Sequence, residues 1–132
     1  MNAPEYRLKL PVKCPPDGAF SADMVLYRIV SKDVFCDEDL VSYAEKNITR
    51  FKNHCLAHGL SFYAKKSDAV VACKDAEARR KTLGTHVARC SIESTHGTMH
   101  TKDESHYTLW LFSKVDASRI KCLSVSKISD KQ

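Results

Sequence analysis

The sequence contains few of the residues that build phosphate-binding loops. Its 132 residues include only four glycines, Gly18, Gly59, Gly84 and Gly97, and these are far apart. A Walker loop or a dinucleotide fingerprint needs several glycines within a few residues, because the backbone must approach the phosphates closely. Both motifs are therefore excluded, and any bound nucleotide must be held in another way.

The chain also lacks long apolar runs. The longest, such as residues 109–112, have only a few members, whereas a membrane-spanning helix needs about 20. The N-terminal residues contain no apolar stretch of the length found in signal peptides. We therefore expect a cytoplasmic protein that does not interact with membranes.

No C-x-x-C pair occurs among the six cysteines, which are spread along the whole chain. An even number of cysteines is compatible with three disulfides. Without a secretion signal, and with enough apolar residues for a normal core, free buried thiols are the expected state.

Proline is confined to the first 16 residues, and no linker or internal repeat follows. We predict a single domain, residues 1–132, with an irregular N-terminal segment at 1–22 and a core at 23–128. The predicted fold class is α+β, with a single mixed, mostly antiparallel sheet of about five to six strands and two main helices.

The apolar pattern places the individual elements. Strands are predicted at 5–10 (a short edge strand), 24–30, 60–64, 86–93, 107–112 and 122–128. The first helix is predicted from residue 38 to just before Gly59, with a break near residue 47. The second is predicted at 68–81, and a helical turn is predicted at 116–120. Residues 95–106 are polar and rich in histidine, and we interpret them as a loop.

Arg28 is the one charge in the middle of an otherwise apolar strand. Side chains alternate along a strand, so Arg28 shares a face with Leu26 and Val30. A buried cation needs an anionic partner. That partner is either a ligand phosphate or a structural carboxylate such as Glu93.

Histidines occur in two groups, His96, His100 and His106 in the polar segment and His54 and His58 on the predicted first helix. Their spacings match no zinc pattern, and the pair at 54 and 58 lacks the glutamate of H-E-x-x-H. We therefore predict no metal site, with the helical pair at a partly exposed helix end.

Three segments resemble small ADP-ribosyltransferase-like domains. These are Leu26-Tyr27-Arg28, then Gly59-Leu60-Ser61-Phe62-Tyr63 followed by an alanine-containing helix, then His86-Val87-Ala88-Arg89. The chain also resembles small bacterial proteins of unassigned activity that carry a G-L-S-aromatic segment and an H-Y-T-L-W strand. The second resemblance implies no activity.

The first resemblance implies NAD as the cofactor and a role for each matching residue. Arg28 would contact the phosphates, and Ser61 and Tyr63 would shape the nicotinamide pocket. Glu104 would be the orienting acid. His106, at the start of a strand, would bond a ribose hydroxyl or take a proton.

Two functions stay open. One is a nucleotide-binding enzyme that transfers or hydrolyses ADP-ribose and acts on a small-molecule ligand. The other is a non-catalytic module that binds a protein or an RNA. The second interpretation depends on the net charge of +5 and on the basic run Arg79-Arg80-Lys81, which also suits the C-terminal end of a helix.

Overall fold

A computed structural model describes residues 5–128 of the chain. Six strands form one sheet in the order β4-β5-β2-β1-β3-β6, and every neighbouring pair is antiparallel. The strands are β1 (Met24–Val30), β2 (Leu60–Tyr63), β3 (His86–Ile92), β4 (Gly97–Thr101), β5 (His106–Leu111) and β6 (Lys121–Lys127). The predicted α+β class is confirmed, and no pair in the described sheet is parallel. The first four residues of the predicted N-terminal segment lie outside the described part.

Helices cover less of the chain than predicted. They are α1 (Tyr43–Lys46), α2 (Ile48–Phe51) and α3 (Lys66–Ala78), with 3-10 turns at Asp37–Leu40, Leu56–His58 and Ala117–Arg119. The first predicted helix is therefore wrong as a continuous element. Its predicted break near residue 47 is confirmed, because the Asn47 backbone leaves the helical region (φ −151°, ψ 79°) and its side chain caps α2 through the amide of Arg50.

Apolar side chains cover both faces of the sheet. One face carries the main core, which includes Leu26 on β1, Phe62 on β2 and Leu109 on β5. The helix α3 packs on strands β1, β2 and β3, and its buried residues are Ala69, Cys73 and Ala76. As predicted for a central strand, most of β5 is buried, with Trp110 fully enclosed.

The polar segment at 95–106 is not a loop. Residues Gly97–Thr101 form β4, which pairs with β5 and ends in the hairpin turn. The strand escaped prediction because only Met99 of its five residues is a large apolar side chain. In the described sheet Gly97 lies opposite Leu111, and a Cβ at this position would overlap the Trp110 carbonyl.

The N-terminal segment contacts the β4–β5 hairpin at two points. The edge strand predicted at 5–10 is reduced to one bridge between Tyr6 and Phe112. Phe20 forms a second bridge with Met99, so this segment covers the outer edge of β4. Such cover protects an edge strand against pairing with other chains.

The prediction that every thiol is free is also wrong. Cys14 and Cys55 form a disulfide, with Cα atoms 5.5 Å apart and a separation of 41 positions in the sequence. Cys36, Cys73, Cys90 and Cys122 are free. The pairing could not be inferred from spacing, because it depends on the N-terminal segment lying against residues 51–58.

None of the helices described between residues 5 and 128 combines the length and the apolar character needed to cross a membrane.

Candidate functional site

The strands β1 and β2 diverge from one another. One residue pair, Tyr27 opposite Tyr63, joins them, whereas β1 and β3 are paired along seven positions. Tyr63 is the last residue of β2, and none of the earlier residues of β2 pairs with β1. The sheet therefore has a gap between residues 28–30 of β1 and residues 60–62 of β2.

A cleft of about 750 Å³ lies at this gap. Ligand pockets commonly have volumes of about 300–1,000 Å³. Its walls include the end of β1, the first 3-10 turn with α1, residues 51–57, the strand β2 and the start of β5. Four of the predicted site residues line it: Arg28, Ser61, Tyr63 and His106. These four residues therefore lie in one cleft, and the roles given to them from the sequence stay predictions.

Arg28 bridges the gap. Its Nε donates to the carbonyl of Asp39 at 2.7 Å, and its Nη1 donates to the carbonyl of Ser61 at 2.8 Å. The guanidinium carbon also lies 5.6 Å from the centre of the Phe62 ring. These contacts fix the guanidinium plane between β1 and β2, because Arg presents its donors in a rigid fork.

No carboxylate of the described residues forms an ion pair with Arg28. The carboxylate of Asp39 accepts from the Cys36 amide instead, and that of Glu93, the alternative partner considered from the sequence, lies 3.7 Å from Nε2 of His96. Burial lowers the pKa of Arg28, and Asp39 partly opposes this effect. A guanidinium nevertheless stays charged in proteins, so the site keeps a cation bound only to neutral carbonyls.

One edge of this cation remains available. Among residues 5–128, Nη2 of Arg28 has no hydrogen-bond partner. No side-chain nitrogen or oxygen in the same part of the chain is both fully buried and unpaired. It follows that Nη2 is not completely buried, and Arg28 lines the cleft.

Ser61 and His106 form a polar pair on the neighbouring strands β2 and β5. The Oγ of Ser61 lies 3.0 Å from Nε2 of His106, and the Tyr63 ring meets the His106 ring edge-on with centroids 5.3 Å apart. Burial lowers the pKa of His106, with a smaller opposing effect from Asp103. Burial thus favours the neutral ring, whose Nε2 can accept the Ser61 hydroxyl proton in a hydrogen bond.

We expect the His106 ring to titrate below the ordinary histidine value of about 6.5. The unfolded chain then binds a proton at higher pH than the folded protein, so the free energy of unfolding falls as pH drops from about 6.5 toward the folded pKa. The midpoint is measured from the Cε1–H signal by NMR. The Ser61→Ala variant should keep a low midpoint, because burial is the main cause. A midpoint at or above about 6.5 in the wild-type protein would contradict this assignment.

Glu104 is placed elsewhere. It lies exposed in the turn between β4 and β5, with a positive φ of 65°, and does not line the cleft. Its backbone amide donates to Oγ1 of Thr101. Sequence proximity to His106 suggested a shared site, but the hairpin turn directs the two residues to different surroundings.

Two further histidines, His96 and His58, have structural contacts. His96 is buried, with Nδ1 accepting from the Glu93 amide and Nε2 donating to the Arg119 carbonyl. His58, predicted at a partly exposed helix end, is buried and bonds the carbonyl of His54. No group of three or more possible ligands capable of holding a metal ion occurs within the described residues.

Sequence reasoning missed the outer wall of the cleft. Tyr43 on α1 and Phe51 on α2 line it. The other residues of this wall are Lys46, His54, Leu56 and Leu83. Phe51 lies in the first predicted helix, where its apolar side chain alone indicated burial. The break at Asn47 instead turns this part of the chain toward the cleft.

Comparison with protein-family models, with curated proteins and with solved structures gives no match.

Proposed function

We propose that the chain binds a nucleotide in this cleft, with the phosphates at Arg28, and that it is an ADP-ribosyltransferase-like enzyme using NAD. The observation that supports the proposal is the Arg28 guanidinium, which faces the cleft and has no carboxylate partner in the described part of the chain. A phosphate would supply the missing negative charge through charge-assisted hydrogen bonds.

The other cleft residues suit the sugar part of such a ligand. The Ser61 hydroxyl and Nε2 of His106 share a hydrogen bond, which leaves the Ser61 oxygen able to accept a second one from a ribose hydroxyl. Tyr63 contributes an apolar ring next to them. Ribosyl transfer also needs stabilisation of a developing positive charge. Glu104 does not line the cleft, so we assign it no contact with the ligand.

Thermal shift with a ligand series tests the proposal. The series contains NAD, ADP-ribose, ADP, inorganic pyrophosphate and a short RNA. A ligand at 100 times its dissociation constant stabilises the folded state by about 2.7 kcal/mol, which is readily measured. Stabilisation by the nucleotides supports the proposal. A response to RNA alone would instead favour the non-catalytic binding module, and release of nicotinamide from NAD would separate an enzyme from a nucleotide-binding protein.

A further inference from the structure

We propose that the outer wall of the cleft binds the nucleobase of the ligand, through an aromatic platform formed by Tyr43 and Phe51. This inference rests on the proposed function, because it assigns the second half of the same ligand. Neither of these two residues was among the functional residues predicted from the sequence.

The break between α1 and α2 creates the platform. In a continuous α-helix, residues eight positions apart are separated by about 12 Å along the axis. In this structure the ring centroids of Tyr43 and Phe51 are 6.1 Å apart, with an angle of 41° between the rings. The kink at Asn47 therefore brings together two aromatic rings that a straight helix would hold apart.

Exposure of these apolar groups points to a ligand. Tyr43 is 55% exposed, and so is Leu56 on the same cleft. His54 extends the surface, because its ring meets the Phe51 ring edge-on at 5.8 Å. Stacking of a base on aromatic rings would remove this apolar surface from water, and every nucleobase has a face that can stack.

The charges around the platform select a phosphorylated occupant. The Lys46 ammonium lies 5.7 Å from the centre of the Tyr43 ring, and the Arg50 guanidinium lies 5.0 Å from that of Phe51. Lys46 and Arg28 both line the cleft, so cations accompany its apolar wall. A nucleotide combines an aromatic base with anionic phosphates and so matches both features, whereas an uncharged apolar ligand matches only one.

Calorimetric titration of ADP and of inorganic pyrophosphate separates the two halves of the site. The wild-type protein should bind ADP more tightly than pyrophosphate. Phe51→Leu should weaken ADP binding by about tenfold, within the range for loss of one base–aromatic stack, and should leave pyrophosphate binding unchanged. Tyr43→Leu, at an exposed position, gives the same test if Phe51→Leu fails to fold.

Phe20→Leu is the matched control, because Phe20 is an exposed aromatic residue (38%) that does not line the cleft. It should change neither affinity. Equal weakening of ADP and pyrophosphate binding by Phe51→Leu, or no weakening of either, would overturn the platform while the phosphate site stands. Absence of binding of both ligands to the wild-type protein would overturn the proposed function, and the platform with it.

Discussion

Replacement of Arg28 by lysine should weaken the binding of ADP and of pyrophosphate by about 10- to 100-fold. Hydrogen bonds to a charged group contribute about 1.5–3 kcal/mol. The single nitrogen of lysine cannot reproduce the planar fork by which two guanidinium nitrogens hold the Asp39 and Ser61 carbonyls and leave the third for a phosphate. Calorimetric titration measures both affinities. The salt concentration is held fixed, because the strength of contacts between charges depends on ionic strength.

Arg89→Lys is the matched control for this change. Arg89 is on β3, directly opposite Tyr27 of β1, but it is exposed and does not line the cleft. Its replacement should leave both affinities within about twofold, since exposed charges contribute little. If Arg28→Lys binds both ligands as tightly as the wild type, Arg28 is a structural residue and the phosphate assignment is wrong.

Removal of the disulfide should have the largest effect on stability. The Cys14→Ser, Cys55→Ser double variant should lose about 4 kcal/mol of unfolding free energy, as expected for a cross-link that closes a loop of this length. Urea unfolding with and without reductant measures the difference. The single variant Cys36→Ser, at a free cysteine, should change stability far less.

The same bond also bears on ligand binding. Cys55 lines the cleft, and its carbonyl accepts from Nε1 of the buried Trp110 at 3.0 Å. Reduction should therefore loosen the wall that carries Phe51 and weaken ADP binding more than pyrophosphate binding. A thiol assay on the unreduced, denatured protein should find four reactive thiols. Six would show that the bond is absent and restore the free-thiol prediction.

Patterns of apolar residues predicted those strands and helices in which buried side chains recur at a regular spacing. The strand β1 has the boundaries expected at 24–30, and Leu26 and Val30 share the core face as alternation requires. The helix α3 begins two residues before the predicted start and ends three before the predicted end. These elements are determined by local sequence, because each buries one regular set of side chains.

Features that depend on distant contacts could not be predicted. β4 is held by its pairing with β5 and by Phe20, which lies far away in sequence. The Cys14–Cys55 bond and the Tyr43–Phe51 contact depend on how irregular segments pack.

Of the site residues predicted from the sequence, only those on strands lie at the cleft. Arg28, Ser61, Tyr63 and His106 are on strands and meet at the cleft, whereas Glu104 is in a turn and does not. The partners of Arg28 are backbone carbonyls, which no residue pattern can reveal.

Mapping of ¹⁵N chemical-shift changes during a titration with ADP tests the central claim most directly. The account predicts that the largest shifts occur at the Arg28 Nε–H signal and at the amides of Ser61, Tyr63 and His106, followed by those of α1 and α2. Shifts confined to the basic residues Arg79, Arg80 and Lys81, or no shifts at saturating ADP, would contradict it.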